Sequence, residues 1–236
     1  MGIFKKKNRE VISHADYNVI FDNKTVEGAP IETVEIGTLK VTTGKIIVCD
    51  PLAIPDMDPL DKVIPPGDYP IKLYFANDEA LFGRRNAVAK LEFSPKRADK
   101  WVLALKEGED VSKLEGNGDF FGFPVDAGLG GFMDEAALAE YNIFMDDFYS
   151  KNPEGNLYDD FFDAEFKKSA KTANEEDRGD WVNFQLPGTE LNITMFSSGF
   201  GDGMYPAYWG MTNDNEIVSL VIDFHVLLLP EEEDEK

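Results

Sequence analysis

Apolar side chains on alternate residues recur through the first half of this chain and again through its last third, and that period commits most of it to strands. In YPIKLYF (69–75) Tyr69, Ile71, Leu73 and Phe75 fall on one face, with Pro70, Lys72 and Tyr74 on the other. AVAKLEF (87–93) repeats the scheme, with Ala87, Ala89, Leu91 and Phe93 inward and Val88, Lys90 and Glu92 outward. The period holds from about Thr33 to Leu105, punctuated by IPPGDYP and FANDEALFG, which carry the Pro, Gly, Asn and Asp that turns require. It returns after Gly179 in WVNFQ, LNITMF and EIVSLVIDFHVLLL. The last run puts Val218, Leu220, Ile222, Phe224, Val226 and Leu228 on one unbroken apolar face, the pattern of a central strand.

Between these regions the period changes. In DEAALAEYNIFMDDFY the apolar positions Ala137, Leu138, Tyr141, Phe144, Met145 and Phe148 recur every three or four residues, which predicts an amphipathic helix with Asp134 as its N-cap. After KNPEGN, the segment LYDDFFDAEFKK spaces Tyr158, Phe161, Phe162 and Phe166 similarly, with Lys167 and Lys168 where a helix dipole favours cations. The expected fold is α+β and mainly β: an antiparallel, sandwich-like β core with a two-helix insertion around 134–172. The expected organisation is an N-terminal extension over 1–32, one β-rich domain over 33–229 containing the insert, and an acidic tail over 230–236.

Charge then narrows the function. Among 236 residues, 45 Asp and Glu stand against 23 Lys and Arg, so the net charge is 23 − 45 = −22. A chain this acidic repels phosphate backbones and anionic lipid, so neither nucleic acid nor membrane is an expected partner. Residues 134–180 hold 14 acidic and 5 basic side chains, a local net of 5 − 14 = −9. The single Cys49 cannot form an internal disulfide, and two histidines, His14 and His225, are too few for a histidine-rich zinc site. MGIFKKKNREVI leads into the polar SHADYN rather than an apolar run, so no signal peptide is expected, and no window approaches the roughly 20 apolar residues of a membrane span. The expected location is the cytoplasm.

Several carboxylates are candidates for a site. Asp223 and His225 lie two apart in one strand-like run, which would put both on one face with Cβ atoms about 6 to 7 Å apart, suited to a metal, a bridging water or an acid–base couple. The alternative is the solvent-facing side of an antiparallel strand. In SSGFGDGMYPAYWG, Asp202 sits among glycines beside Tyr205, Tyr208 and Trp209, a turn able to hold a carboxylate toward a cation or simply to pack on the sheet. In GFPVDAGLGGFMDEAA, Asp126 is flanked by glycines and Asp134 starts the helix, while Asp50 ends the apolar strand IIVCDPL. Ca²⁺ or Mg²⁺ would suit such oxygen ligands, although no known ligand spacing is present and no cofactor is otherwise expected. Cys49 ends an apolar strand, the usual place of an inert thiol, and no G-x-S-x-G elbow exists.

The ordered set GTLKVTTGKIIVCDPL, PPGDYPIKL, GFPVDAGLGGFMD and SSGFGDGMYPAYWG resembles the bacterial domain-of-unknown-function family numbered 4241, over roughly Ile36 to Phe224. The resemblance implies no activity and no catalytic residue. It implies only that Asp50, Asp126, Asp134, Asp202 and Tyr205 would converge if the family has a site. The charge favours an interaction protein that neutralises a basic protein partner, by analogy with immunity proteins that antagonise toxins. Its expected partner face is Asp146, Asp147, Tyr149, Tyr158, Asp159, Asp160 and Phe161. The alternative is a metal-dependent hydrolase or calcium-binding domain using the clustered aspartates, and enzymatic chemistry is the less favoured class.

Overall fold

A computed structural model describes residues 10–53, 58–114, 116 and 118–229. In chain order the strands are β1 (Thr25–Val26), β2 (Ala29–Val41), β3 (Ile46–Cys49), β4 (Gly67–Asp78), β5 (Gly83–Glu92), β6 (Lys100–Leu103), β7 (Phe123–Val125), β8 (Leu129–Asp134), β9 (Trp181–Gln185), β10 (Asn192–Ser197), β11 (Gly203–Tyr205), β12 (Ala207–Met211) and β13 (Ile217–Asp223). The helices are α1 (Asn18–Asp22), α2 (Glu135–Lys151) and α3 (Asp163–Phe166). Seven strands form one sheet in the order β1-β2-β4-β5-β13-β12-β6, and four form a second in the order β3-β8-β10-β9, while β11 and β7 pair on their own. Every pairing is antiparallel, and β13 is central as its apolar face required.

The fold is mainly β and sandwich-like, with the helices on its outer side. Alternation along the four-stranded sheet builds two cores at once. Ile46, Val48, Phe132 and Phe196 pack toward the seven-stranded sheet. Ile47, Met133, Val182, Phe184, Ile193 and Met195 pack toward the helices. A sheet covered on both faces is why β3 and β8 are buried at every position. Gly130 is a contact point between the layers, because a Cβ there would lie 2.8 Å from the Phe224 ring. Helix α2 begins where expected: the Asp134 carboxylate accepts from the Ala136 N–H. A π-helical turn over Tyr158–Phe162 then runs into α3.

A bulge shows how the two sheets are joined. The register of β2 on β4 shifts between Glu35 and Thr38, and Gly37 adopts φ +97° there. The side-chain amide of Asn183 donates to the carbonyls of Ile36 and Thr38, and that of Asn192 donates to Thr38. Lys40 N–H donates back to the Asn192 side chain at 2.8 Å. Backbone groups at the β2 irregularity are thus satisfied by asparagines of the facing sheet.

Residues 11–22, within the expected N-terminal extension, pack on the seven-stranded sheet. Ser13 N–H donates to the Trp101 carbonyl and Leu103 N–H to the Val11 carbonyl, so residues 11–13 line the β6 edge. Helix α1 follows and covers the outer face of the seven-stranded sheet, where Tyr17 is fully buried and the Phe21 ring lies 4.7 Å from that of Tyr74. Tyr74, Val88, Ser219 and Asp223, whose alternation reads as outward, are therefore buried. The acidic tail over 230–236 lies outside the described residues. Among the described residues no helix is long and apolar enough to cross a membrane.

Candidate functional site

The glycine-rich turns adjoin one another, since Asp50 bonds the 126–127 loop and Gly203 pairs with Val125, while Asp134 lies at the far end of β8. Asp50 is fully buried, and its carboxylate accepts backbone N–H groups from Leu52, Asp126 and Ala127 at 3.1, 3.1 and 2.7 Å. It holds the turn after β3 and the 126–127 loop together. Asp126 contributes only its backbone to this and exposes its side chain. Asp134 receives the hydroxyls of Thr42 and Thr43 and the N–H groups of Thr43 and Ala136, so its buried oxygens are spent on the β2–β3 turn and the helix start. Asp202 is exposed, and buried Tyr205 donates its hydroxyl to the Gly201 carbonyl at 3.0 Å, the packed-turn alternative. Cys49 is buried, and burial, reinforced by neighbouring Asp50, pushes its thiol up, away from nucleophilic use. No group of three or more His, Cys, Asp or Glu side chains is arranged to hold a metal ion among the described residues.

Asp223 and His225 behave differently. Strand β13 ends at Asp223, whose Oδ1 accepts the His225 N–H at 2.8 Å, and His225 adopts φ +55° in the turn beyond. They therefore do not share one face of a strand, as the spacing predicts, yet both line one cavity of about 510 Å³. Glu10–His14 form one wall of this cavity, Val111, Leu114 and Phe120 line another, and Tyr208, Leu228 and Leu229 border it. His14 and His225 are the chain's two histidines. His14 Nε2 lies 2.7 Å from the Leu228 carbonyl, so this nitrogen carries the proton and ties the N-terminal segment to the C-terminal turn. The His225 ring meets Phe120 and Tyr205 edge to face.

Asp223 is 4% exposed, and Tyr17 O–H donates to its Oδ2 at 2.6 Å. Burial pushes the Asp223 carboxyl above its ordinary range, against the Tyr17 hydrogen bond and His225, which pull it down. Burial and then the charge of Asp223 push the phenols of Tyr17 and Tyr208 up, so both stay protonated donors. Tyr17 is a neighbour of Asp223 that sequence reasoning missed, and Tyr208, read there as an aromatic of the glycine-rich turn, borders this cavity instead. Tyr17 lies in a stretch without period, and its place over β13 is a contact across 206 residues.

On the helical layer, Asp146, Asp147, Asp159 and Tyr149 are exposed as expected, and so is Asp160, whose carboxylate accepts the Asn156 N–H. Phe161 is half-buried and packs with Phe144, Phe162 and Phe184 at ring separations of 5.0 to 5.4 Å, against the core beneath the helices. Tyr158 is half-buried against Phe166. Ile143, 62% exposed, stands on α2 in an outward row with Asn142, Asp146 and Asp147, and Tyr149 follows at 44%. Its omission from the buried three-four spacing is the sequence signal that marks it.

A family model described as "Protein of unknown function (DUF4241)" matches residues 39–222, and the chain belongs to that family. Comparisons with curated proteins and with solved structures return no match.

Proposed function

We propose that this member of the family is an acidic binding module that meets a basic protein partner on the outward face of α2, and that it neutralises that partner as an immunity protein neutralises a toxin. The observation that supports the reading is the α2 row, where apolar Ile143 and Tyr149 stand exposed on either side of Asp146 and Asp147. An apolar anchor framed by charge is the arrangement that carries binding energy in an interface core while the rim steers encounter. The helices do not need these residues for their own packing, because Tyr141, Phe148, Phe162 and Phe166 already fill the core beneath. Asp147 pairs with Lys151 at 2.7 Å, a surface bridge that a basic partner would displace at little cost.

The test is capture from the source strain's lysate with the wild-type chain and an Ile143→Asp, Asp146→Lys, Asp147→Lys variant whose circular dichroism matches wild type. A basic protein held by wild type at low salt, released at high salt and not held by the variant is expected. Equal retention by both chains, or no basic protein at low salt, would contradict the reading. The metal-dependent alternative is less favoured, since Asp50 and Asp134 are spent on turn N–H and hydroxyl groups and no group of three or more ligating side chains is arranged to hold a metal ion among the described residues.

A further inference from the structure

We propose that the cavity bounded by His14, Tyr208, Asp223 and His225 is a binding site for an organic cation, an ammonium or guanidinium on an apolar body, with Asp223 as its counter-ion. Its volume of about 510 Å³ suits a small ligand, for which sites run about 300–1,000 Å³. A carboxylate offers four acceptor positions. At Asp223 the protein fills two, with Tyr17 O–H and His225 N–H, although the residue is almost wholly buried. A buried carboxylate with unfilled acceptor positions beside a cavity calls for a donor, and a charged donor gains most there.

The walls favour the same occupant. Among the described residues no Lys or Arg lines the cavity, while Glu10 and Asp119 do, so the charge that they place there favours a cation over an anion. Lys100 reaches Glu10 from outside, at 2.9 Å, and is shared with Asn215. Phe120 and Tyr208 supply aromatic surface for a cation, and Val11, Val111 and Leu114 supply apolar surface for its body. His14 and His225 stand at the same cavity and report on its occupancy.

The imidazole Cε1–H resonances of these two histidines make the test direct in the intact chain. Benzylamine should shift both along a saturable curve, with benzyl alcohol and benzoate at least about tenfold weaker, the size of a charge-assisted contact. Asp223→Asn should remove that preference, leaving benzylamine no tighter than the alcohol. Leu114→Trp, which fills the cavity without touching Asp223, should abolish both shifts and decides the matter if Asp223→Asn fails to fold. Nα-acetyl-lysine methylamide separates the sources of the cation. Binding as tight as benzylamine assigns the site to a lysine side chain of a protein, and weaker binding assigns it to a free amine. An alcohol or benzoate that binds as tightly as the amine, or a benzylamine titration without saturable shifts, would overturn the proposal.

Discussion

The two ends of this molecule treat buried carboxylates in opposite ways. At the four-stranded sheet, Asp50 and Asp134 are fully buried, and their oxygens are taken by N–H and hydroxyl groups of adjoining turns. At the outer face of the seven-stranded sheet, Asp223 is almost as buried, receives two donors and borders a cavity. Burial alone does not separate a structural acid from a functional one. What separates them is whether the fold supplies enough donors to saturate the carboxylate.

Substitutions can break or sharpen that contrast. The largest effect belongs to Asp134→Ala, which strips a helix cap worth about 1 kcal/mol and strands neighbouring donors at about 1–3 kcal/mol each. A loss of about 3 kcal/mol or more in urea unfolding is expected. A loss under about 1 kcal/mol would mean that the saturated acids are not structural. Asp50→Asn keeps one acceptor oxygen and should cost about 1–2 kcal/mol in the same measurement.

Asp223→Asn should stay within about 1 kcal/mol of wild type near neutral pH, because it removes a desolvated charge while retaining an acceptor. Its pH dependence carries the sharper test. Since the folded Asp223 carboxyl lies above its unfolded value, its contribution is fully favourable below the unfolded pKa and is lost as pH rises through the folded one. Wild type should therefore gain on Asp223→Asn as pH falls from neutrality toward about 4.

The smallest effect, under about 1 kcal/mol, is expected for Glu92→Gln on the same sheet face. Burial raises the Glu92 carboxyl, but Lys90 at 2.7 Å and Lys72 at 3.4 Å more than offset this and hold it below its usual value. Its contribution is present above the unfolded pKa and is lost as pH falls through the folded one, so wild type should lose ground to this variant in acid. Parallel trends for the two variants, followed by denaturation at several pH values, would contradict the assignment of opposite signs.

Local pattern carried the strands, the helical insert and the Asp134 cap, because each depends on neighbours in sequence. Ile71, Leu73, Ala89 and Leu91 are buried as their alternation predicts. The covering of the opposite face was not legible, since Tyr74 and Val88 are buried by a short, aperiodic N-terminal segment arriving from more than fifty residues away. Phe161 is half-buried against Phe184, a contact across 23 residues, while Ile143 falls outside the buried stripe of α2. At the cavity, Asp223 and His225 were visible as a pair, but Tyr17 and Tyr208 join them only through the tertiary fold.

The most direct measurement is the ¹³C shift of the Asp223 side-chain carboxyl against pH, without and with benzylamine. The account predicts a midpoint above the ordinary aspartate range in the free protein, lowered when the amine is present, because a bound cation favours the ionised acid. A midpoint inside the ordinary range and unmoved by saturating amine would contradict it.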